Sequence, residues 1–406
     1  MFGIIKAKYD NKKLFLLSPY DLHILFGKKI CNSELLLLES KYIYKQGLIV
    51  SNFSKILVTI LLIPSRVIDR ILGFFGKSLS YRVVVPAVGE RELWATKNEL
   101  KNGFSWETVE KYNWKERINS YYDLSIRDSA QRVAKIKMST LGISSSSWFV
   151  CLHVRESGFR KDKGRREYRN SHILNYIPAI KRITKAGGIV VRMGDSTMTK
   201  LPKMNNVVDY PFTEQKSSLM DIFLIKNCKF YIGTLSGILD TAFLFRKDIL
   251  IINMYNWLFG YPFSSRDRGI YKHVYSKSQE KYLTFDEVLS SDWKMQALFG
   301  DIDNDYELIE NTPNDIEEAV LEYMDCSDRD DFSINTQQVK LNNKRVNVAK
   351  EIYKKYSFTN MDDYEEIAIK YRLATRINKD MHGTISNCYL KKYLDTPYGS
   401  VFNAGQ

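Results

Sequence analysis

Between Trp148 and Met254 the chain repeats one rhythm: a short apolar run rich in β-branched residues, a polar turn, then a segment with helical spacing. Strands are predicted at Trp148–Val154, Gly188–Met193, Val207–Tyr210, Lys229–Gly233 and Asp248–Asn253. Helices are predicted between them. The first starts at a Ser171 N-cap, carries Ile173, Tyr176, Ile177, Ile180 and Ile183, and stops at Gly187-Gly188. Another follows a Ser217 cap through Leu219, Ile222, Phe223 and Ile225, and a third covers Ile238–Phe245. Most of the connections are long enough for a parallel return, which makes the fold class α/β with a doubly wound, Rossmann-like half. Such sheets present chemistry at the carboxyl ends of their strands. Two runs end there in polar groups: one in His153-Val154-Arg155-Glu156, the other in Arg192-Met193-Gly194-Asp195.

The other parts of the chain are less regular. With 406 residues it is long enough for two domains. Tyr81–Val88 reads as a β-rich run ending at Gly89-Glu90-Arg91-Glu92, and helical spacing follows at Leu93–Leu100, Trp106–Tyr121 and Asp128–Leu141. Ser144 to Ser147 is the best linker in the sequence. The expected division is therefore an N-terminal domain at 1–143, a Rossmann-like domain at 148–305, and a helical C-terminal region at 306–406 with segments at Glu317–Tyr323 and Val346–Tyr356.

Hydrophobic residues make up 44% of the chain and charged residues 26%, the balance of a soluble globular protein. The five cysteines are scattered without metal-ligand spacing and read as reduced cytosolic thiols. A formal charge of +13 calls for an anionic partner. No nucleic-acid-binding motif accompanies it, so nucleic acid is not expected. Met1 to Tyr9 lacks the form of a secretory signal. In the segment Lys55–Lys77 the uncharged core, Ile56–Ser65, falls well short of the ~20 residues of a spanning helix. Two readings of it stand. One is an interfacial helix with Lys55, Arg66, Arg70 and Lys77 on an anionic membrane; the other is a core helix kinked at Pro64.

Alternation along a strand puts His153 and Arg155 on one side of the sheet, and an arginine there can fork onto a phosphate. The loop that follows adds Arg160, Lys161, Lys163, Arg165, Arg166 and Arg169. Gly233-Thr234-Leu235-Ser236-Gly237 is a small-residue turn between a strand and a helix. Its N–H groups and hydroxyls suit a diphosphate, although many such turns are small for packing alone. Asp195 reads either as a receiver of sugar hydroxyls or as a turn aspartate. Asp301, Asp303 and Asp305 form overlapping Asp-x-Asp triplets in a generally acidic stretch, and read as a solvated loop with no metal role. The usual hydrolase and NTPase signatures HExxH, GxSxG and the P-loop are missing from the sequence.

Together Cys151 to Gly158, Tyr168-Arg169-Asn170, Arg192 to Asp195, Asp209-Tyr210 and Gly233 to Gly237 resemble a family of bacterial glycosyltransferases found in gene clusters for surface polysaccharides. The resemblance covers roughly residues 85 to 255, with a weaker echo near Ile385 to Leu394. His153-Val154-Arg155 is also distantly similar to the His-x-Arg motif of GDP-fucose-dependent fucosyltransferases. This chain departs from the pattern in carrying Glu156 in place of Asp and Leu235 in place of Asn.

The resemblance implies a GT-B fold, two Rossmann-like domains facing a cleft, and transfer from a nucleotide sugar, with GDP favoured, without a metal or other cofactor. It implies that Arg155 neutralises the leaving diphosphate, and that His153, Thr234, Ser236 and Gly237 seat the donor. Arg192, Asp195 and Gly233 complete the expected donor site. An inverting transfer needs a base near the acceptor hydroxyl, for which Glu90 and Glu156 are the candidates. The expected partners are the donor and a glycan or lipid-linked glycan, and the expected place is cytoplasmic, peripheral at the inner face of the cell membrane. Competing readings are a nucleotide-sugar epimerase or hydrolase, and a non-catalytic basic module that binds nucleic acid or anionic lipid.

Overall fold

A computed structural model of the chain describes residues 14–16, 43–45, 124–158, 167–255, 264–291, 305–355, 384–395 and 398. The chain divides into two compact units, 1–130 and 131–406. In the first, β1 (Leu14–Leu16) and β2 (Ile43–Lys45) pair in parallel. The segment Lys55–Lys77, the run Tyr81–Val88 and Glu90 lie outside the described residues, as does most of the expected N-terminal domain. Among the described residues no helix is long and apolar enough to cross a membrane.

The second unit is α/β and is built on a seven-stranded sheet, parallel at every pairing. Helix α1 (Asp128–Thr140) leads through the serine turn into β3 (Phe149–His153). A short 3-10 segment, Ile173–Tyr176, then runs into α2 (Ile177–Lys185). Next come β4 (Ile189–Arg192), β5 (Val207–Asp209), α3 (Ser218–Asn227), β6 (Tyr231–Gly233), α4 (Gly237–Leu244) and β7 (Ile249–Met254). The five strands predicted from Trp148 onward are all present, four of them trimmed by one or two residues and β7 moved one residue onward. Ser217 caps α3 by accepting from the Met220 N–H at 3.4 Å. Ser171 is not a cap. The helix it was expected to start opens instead as the 3-10 segment, and the Ser171 N–H donates to the Arg155 carbonyl at 2.9 Å.

β8 (Arg268–Tyr271) extends the sheet, and β12 (Thr384–Ile385) closes its edge. β9 (His273–Ser276), β10 (Lys281–Tyr282) and β11 (Tyr306–Ile309) form a separate antiparallel sheet. The remaining helices are α5 (Phe285–Ser290), α6 (Pro313–Arg329), α7 (Thr336–Lys355) and α8 (Asn387–Tyr393). α6 packs on α2 and α8 and reaches β7 and β8. The 306–406 segment therefore belongs to the same unit as the sheet and supplies one of its strands.

The strand order is β12-β8-β7-β6-β3-β4-β5. From β3 the chain steps outward to β4 and β5, returns to place β6 against the other side of β3, and continues to β7 and β8. Six of the seven strands thus follow the order of a dinucleotide-binding sheet, and the direction reverses between β3 and β6. All positions of β3, β4, β6 and β7 are buried. That explains why their sequences run continuously apolar instead of alternating. α2 packs with α6, and α3 with α4. With right-handed crossovers, the reversal puts α2 and α4 on opposite faces.

Candidate functional site

Strand pairing sets the frame of the site. His153, the last residue of β3, is in register with Gly233, the last residue of β6. This places the two loops that the sequence marked as anion-binding side by side at the reversal point. They are joined by backbone. The Thr234 N–H donates to the His153 carbonyl at 3.1 Å, and the Arg155 N–H donates to Thr234 Oγ1 at 3.0 Å. Gly233 is required by this approach, because a Cβ there would lie 2.7 Å from the His153 carbonyl oxygen.

Ser236 occupies the N-cap position of α4 but does not cap it. Its Oγ lies 3.2 Å from His153 Nδ1 instead. Ser236 therefore does not close the first turn of α4, and a Cβ on the exposed Gly237 would meet no atom within 4 Å. An open helix N-terminus of this kind favours negative charge. His153 is 7% exposed, and burial holds its pKa down to about 3, with Arg192 and Arg155 pushing the same way and Asp195 opposing. At neutral pH it offers hydrogen bonds and no charge.

The Arg155 side chain is half-buried, and its NH1 donates to Asn170 Oδ1 at 3.0 Å. Asn170 is itself pinned from below. Its carbonyl accepts from Lys272 Nζ at 2.7 Å. Lys272 is 2% exposed, and burial lowers its pKa to about 8 against the opposing charge of Glu310. Glu310 in turn accepts from the His172 N–H at 3.0 Å and pairs with His172 Nδ1 at 2.8 Å. The segment 167–172 is thus held by residues following β8 and β11. Sequence reasoning missed Lys272 and Glu310. The available signal was one lysine inside the apolar stretch Ile270-Tyr271-Lys272-His273-Val274.

No family model matches the chain, and no curated protein or solved structure matches it either. The chemistry of the site therefore rests on its own geometry.

Some expected site residues prove to be committed elsewhere. Arg192 is fully buried; its NH1 donates to Asp209 Oδ1 at 3.1 Å, and its NH2 to Glu156 Oε1 at 3.0 Å and to the Thr199 carbonyl at 3.1 Å. Glu156 also accepts from the Thr199 N–H at 2.7 Å. Arg192 and Glu156 were expected as donor ligand and candidate base, but they are spent on each other. They stiffen the loops after β3 and β4. Asp195 accepts from the Thr197 N–H at 2.8 Å and from the Thr197 hydroxyl, so it closes its own turn. Gly194 takes φ of 145° beside Met198, whose Sδ leaves no room for a side chain. Asp305 accepts from the Ser278 N–H at 2.7 Å and fastens the β9–β10 turn, whereas Asp301 and Asp303 lie outside the described residues. Among the described residues no group of three or more His, Cys, Asp or Glu is arranged to hold a metal ion.

Arg155, His153, Thr234, Ser236, Gly233 and Gly237 are the residues that the fold brings together. They gather at the carboxyl edge of the sheet a guanidinium, a neutral imidazole, the Ser236 hydroxyl and the N-terminus of α4, which Ser236 does not cap, while the buried Thr234 hydroxyl holds the Arg155 loop. A dianionic group is the ligand class that uses all of them.

Proposed function

We propose that the chain is a GT-B-type, inverting glycosyltransferase. It moves a sugar from a nucleotide-diphosphate donor, with a GDP-sugar favoured, onto a growing cell-surface glycan at the inner face of the membrane. The observation that carries this reading is the hydrogen bond from Arg155 to Thr234 at the reversal point of the strand order. It puts the arginine of one loop and the helix N-terminus of the other within reach of one ligand. Cleaving a sugar from a nucleoside diphosphate develops charge on the leaving phosphate. A fixed guanidinium and a helix N-terminus stabilise that charge without reorganising. Neutral His153 fits a role in seating the donor through hydrogen bonds. For the base at the acceptor hydroxyl we carry forward Glu90, the sequence candidate that lies outside the described residues.

The reading is tested by thermal unfolding of the full chain with GDP, UDP, CMP and dTDP. One nucleotide is expected to stabilise it, by about 2.7 kcal/mol at a hundredfold excess over Kd, and Arg155→Ala is expected to abolish that gain. Stabilisation by DNA or anionic vesicles, with none by any nucleotide, would replace the transferase with a basic binding module. Sugar release without any acceptor would point to a hydrolase.

A further inference from the structure

We propose that Arg169 is a second phosphate ligand, so that Arg155 and Arg169 each hold one phosphoryl group of a diphosphate laid along the Thr234–Ser236 turn. This rests on the diphosphate reading above and names a further residue for the same site.

Arg169 closes the short 3-10 turn Glu167–Arg169. Its NH2 donates to the Leu235 carbonyl at 3.4 Å, longer than an ordinary N–H···O bond, and its Nε is buried with no hydrogen-bond partner. A buried donor left unmade is costly, so native folds rarely keep one without a reason. No carboxylate among the described residues pairs with Arg169. Arg192 Nε is likewise buried without a partner, but its guanidinium is neutralised by Glu156 and Asp209.

Nε and NH2 together form the side-on edge of a guanidinium, the edge that takes two oxygens of an oxyanion at once. Among the described residues, that edge of Arg169 holds only the long contact to Leu235. Its Cζ lies 5.7 Å from the centroid of the Tyr255 ring, and Tyr168 meets the same ring edge-on at 4.9 Å. These contacts orient the guanidinium without using its donors.

The two arginines meet neighbouring residues of one turn. The Arg155 backbone is anchored on Thr234, and the Arg169 fork touches Leu235. Asn170 links them, since it follows Arg169 in sequence and accepts from Arg155 NH1. One oxyanion needs one fork. Two guanidinium groups joined through Asn170, with Arg169 on the turn and the Arg155 backbone anchored to it, fit two linked phosphoryl groups, as in a nucleoside diphosphate or in free pyrophosphate.

The test is calorimetric titration of the full chain with the best-stabilising nucleoside diphosphate, the matching monophosphate and inorganic pyrophosphate. R155A and R169A are each expected to weaken the diphosphate and pyrophosphate by about tenfold or more. The monophosphate should weaken in only one of the two variants. Diphosphate affinity unchanged in R169A but lost in R155A overturns the inference and leaves the transferase reading standing. An equal loss of monophosphate in both variants also overturns it, because the site would then hold a single phosphoryl group. A wild-type chain that binds neither nucleotide nor pyrophosphate overturns both readings. If R169A does not fold, R169K decides: it keeps the charge but loses the fork. Reduced affinity for the diphosphate supports the inference, and wild-type affinity overturns it.

Discussion

The Arg155 N–H donates to Thr234 Oγ1 at 3.0 Å, and one residue pair away the Thr234 N–H donates to the His153 carbonyl at 3.1 Å. Two loops that are 79 positions apart in sequence are locked edge to edge by this exchange. Thr234 is 1% exposed, so its hydroxyl has a structural duty. Thr234→Val keeps the shape and removes the acceptor, leaving the Arg155 N–H unmade at a cost of about 1–3 kcal/mol. Chemical denaturation should show that loss. Nucleotide affinity should fall with it, because the arginine is no longer held. A variant as stable as wild type would show that the bond does not hold the loop.

Two glycines of the same turn give opposite predictions. Gly233→Ala forces a methyl to within 2.7 Å of the His153 carbonyl, so the strand ends must part, and a lower melting temperature is expected. Gly237→Ala meets nothing within 4 Å, and alanine is the better helix former by roughly 0.8–1 kcal/mol in a helix interior. It should therefore fold at least as well as wild type. Its methyl would nonetheless stand where an anion approaches the first turn of α4, so nucleotide affinity should fall in a well-folded protein. Unchanged affinity in Gly237→Ala would mean that the ligand does not use this helix end.

Much of the sheet was legible because its strands are buried on both faces. A strand with no solvent face has to be written as a continuous apolar run, and such runs stand out between polar turns. Tyr231–Gly233 and Ile249–Met254 therefore fell where expected. β12 was not legible: two residues, Thr384 and Ile385, carry no pattern, and only pairing with β8 makes them a strand. In the site, His153 and the Gly233–Gly237 turn could be read locally. The commitment of Arg192 to Glu156 could not. They lie 36 positions apart and meet because β3 pairs with β4. A charged residue at a strand end looks the same in sequence whether it faces a ligand or a neighbouring loop.

Burial of His153 makes stability depend on pH with a definite sign. Its folded pKa is about 3, against about 6.5 for an unfolded histidine. Between those values the unfolded chain binds the extra proton, so stability rises with pH across the window and is lost as pH falls from 6.5 toward 3. His273 adds to the same window, since burial lowers it to about 4 against the opposing Asp315. Denaturation midpoints measured from pH 4 to 7 should rise less steeply in His153→Gln than in wild type, and less still when His273→Gln is added. Curves parallel to wild type would mean that the imidazoles are already solvated.

The Arg192 cluster separates a structural arginine from a ligand-binding one. The side chain is fully buried, and its two carboxylate partners are 15% and 21% exposed. Arg192→Met removes the cation and leaves Glu156 and Asp209 facing the gap without compensation, which for a buried pair costs about 3–5 kcal/mol. The urea midpoint should therefore drop sharply. Adding Glu156→Gln and Asp209→Asn to Arg192→Met should recover part of the loss, because a neutral trio has no unpaired charge to bury. Nucleotide affinity, measured where the variants are still folded, should change far less than it does in Arg155→Ala. If Arg192→Met instead unfolds like wild type and loses the nucleotide, the guanidinium reaches the ligand, and its pairing with Glu156 is not its main duty.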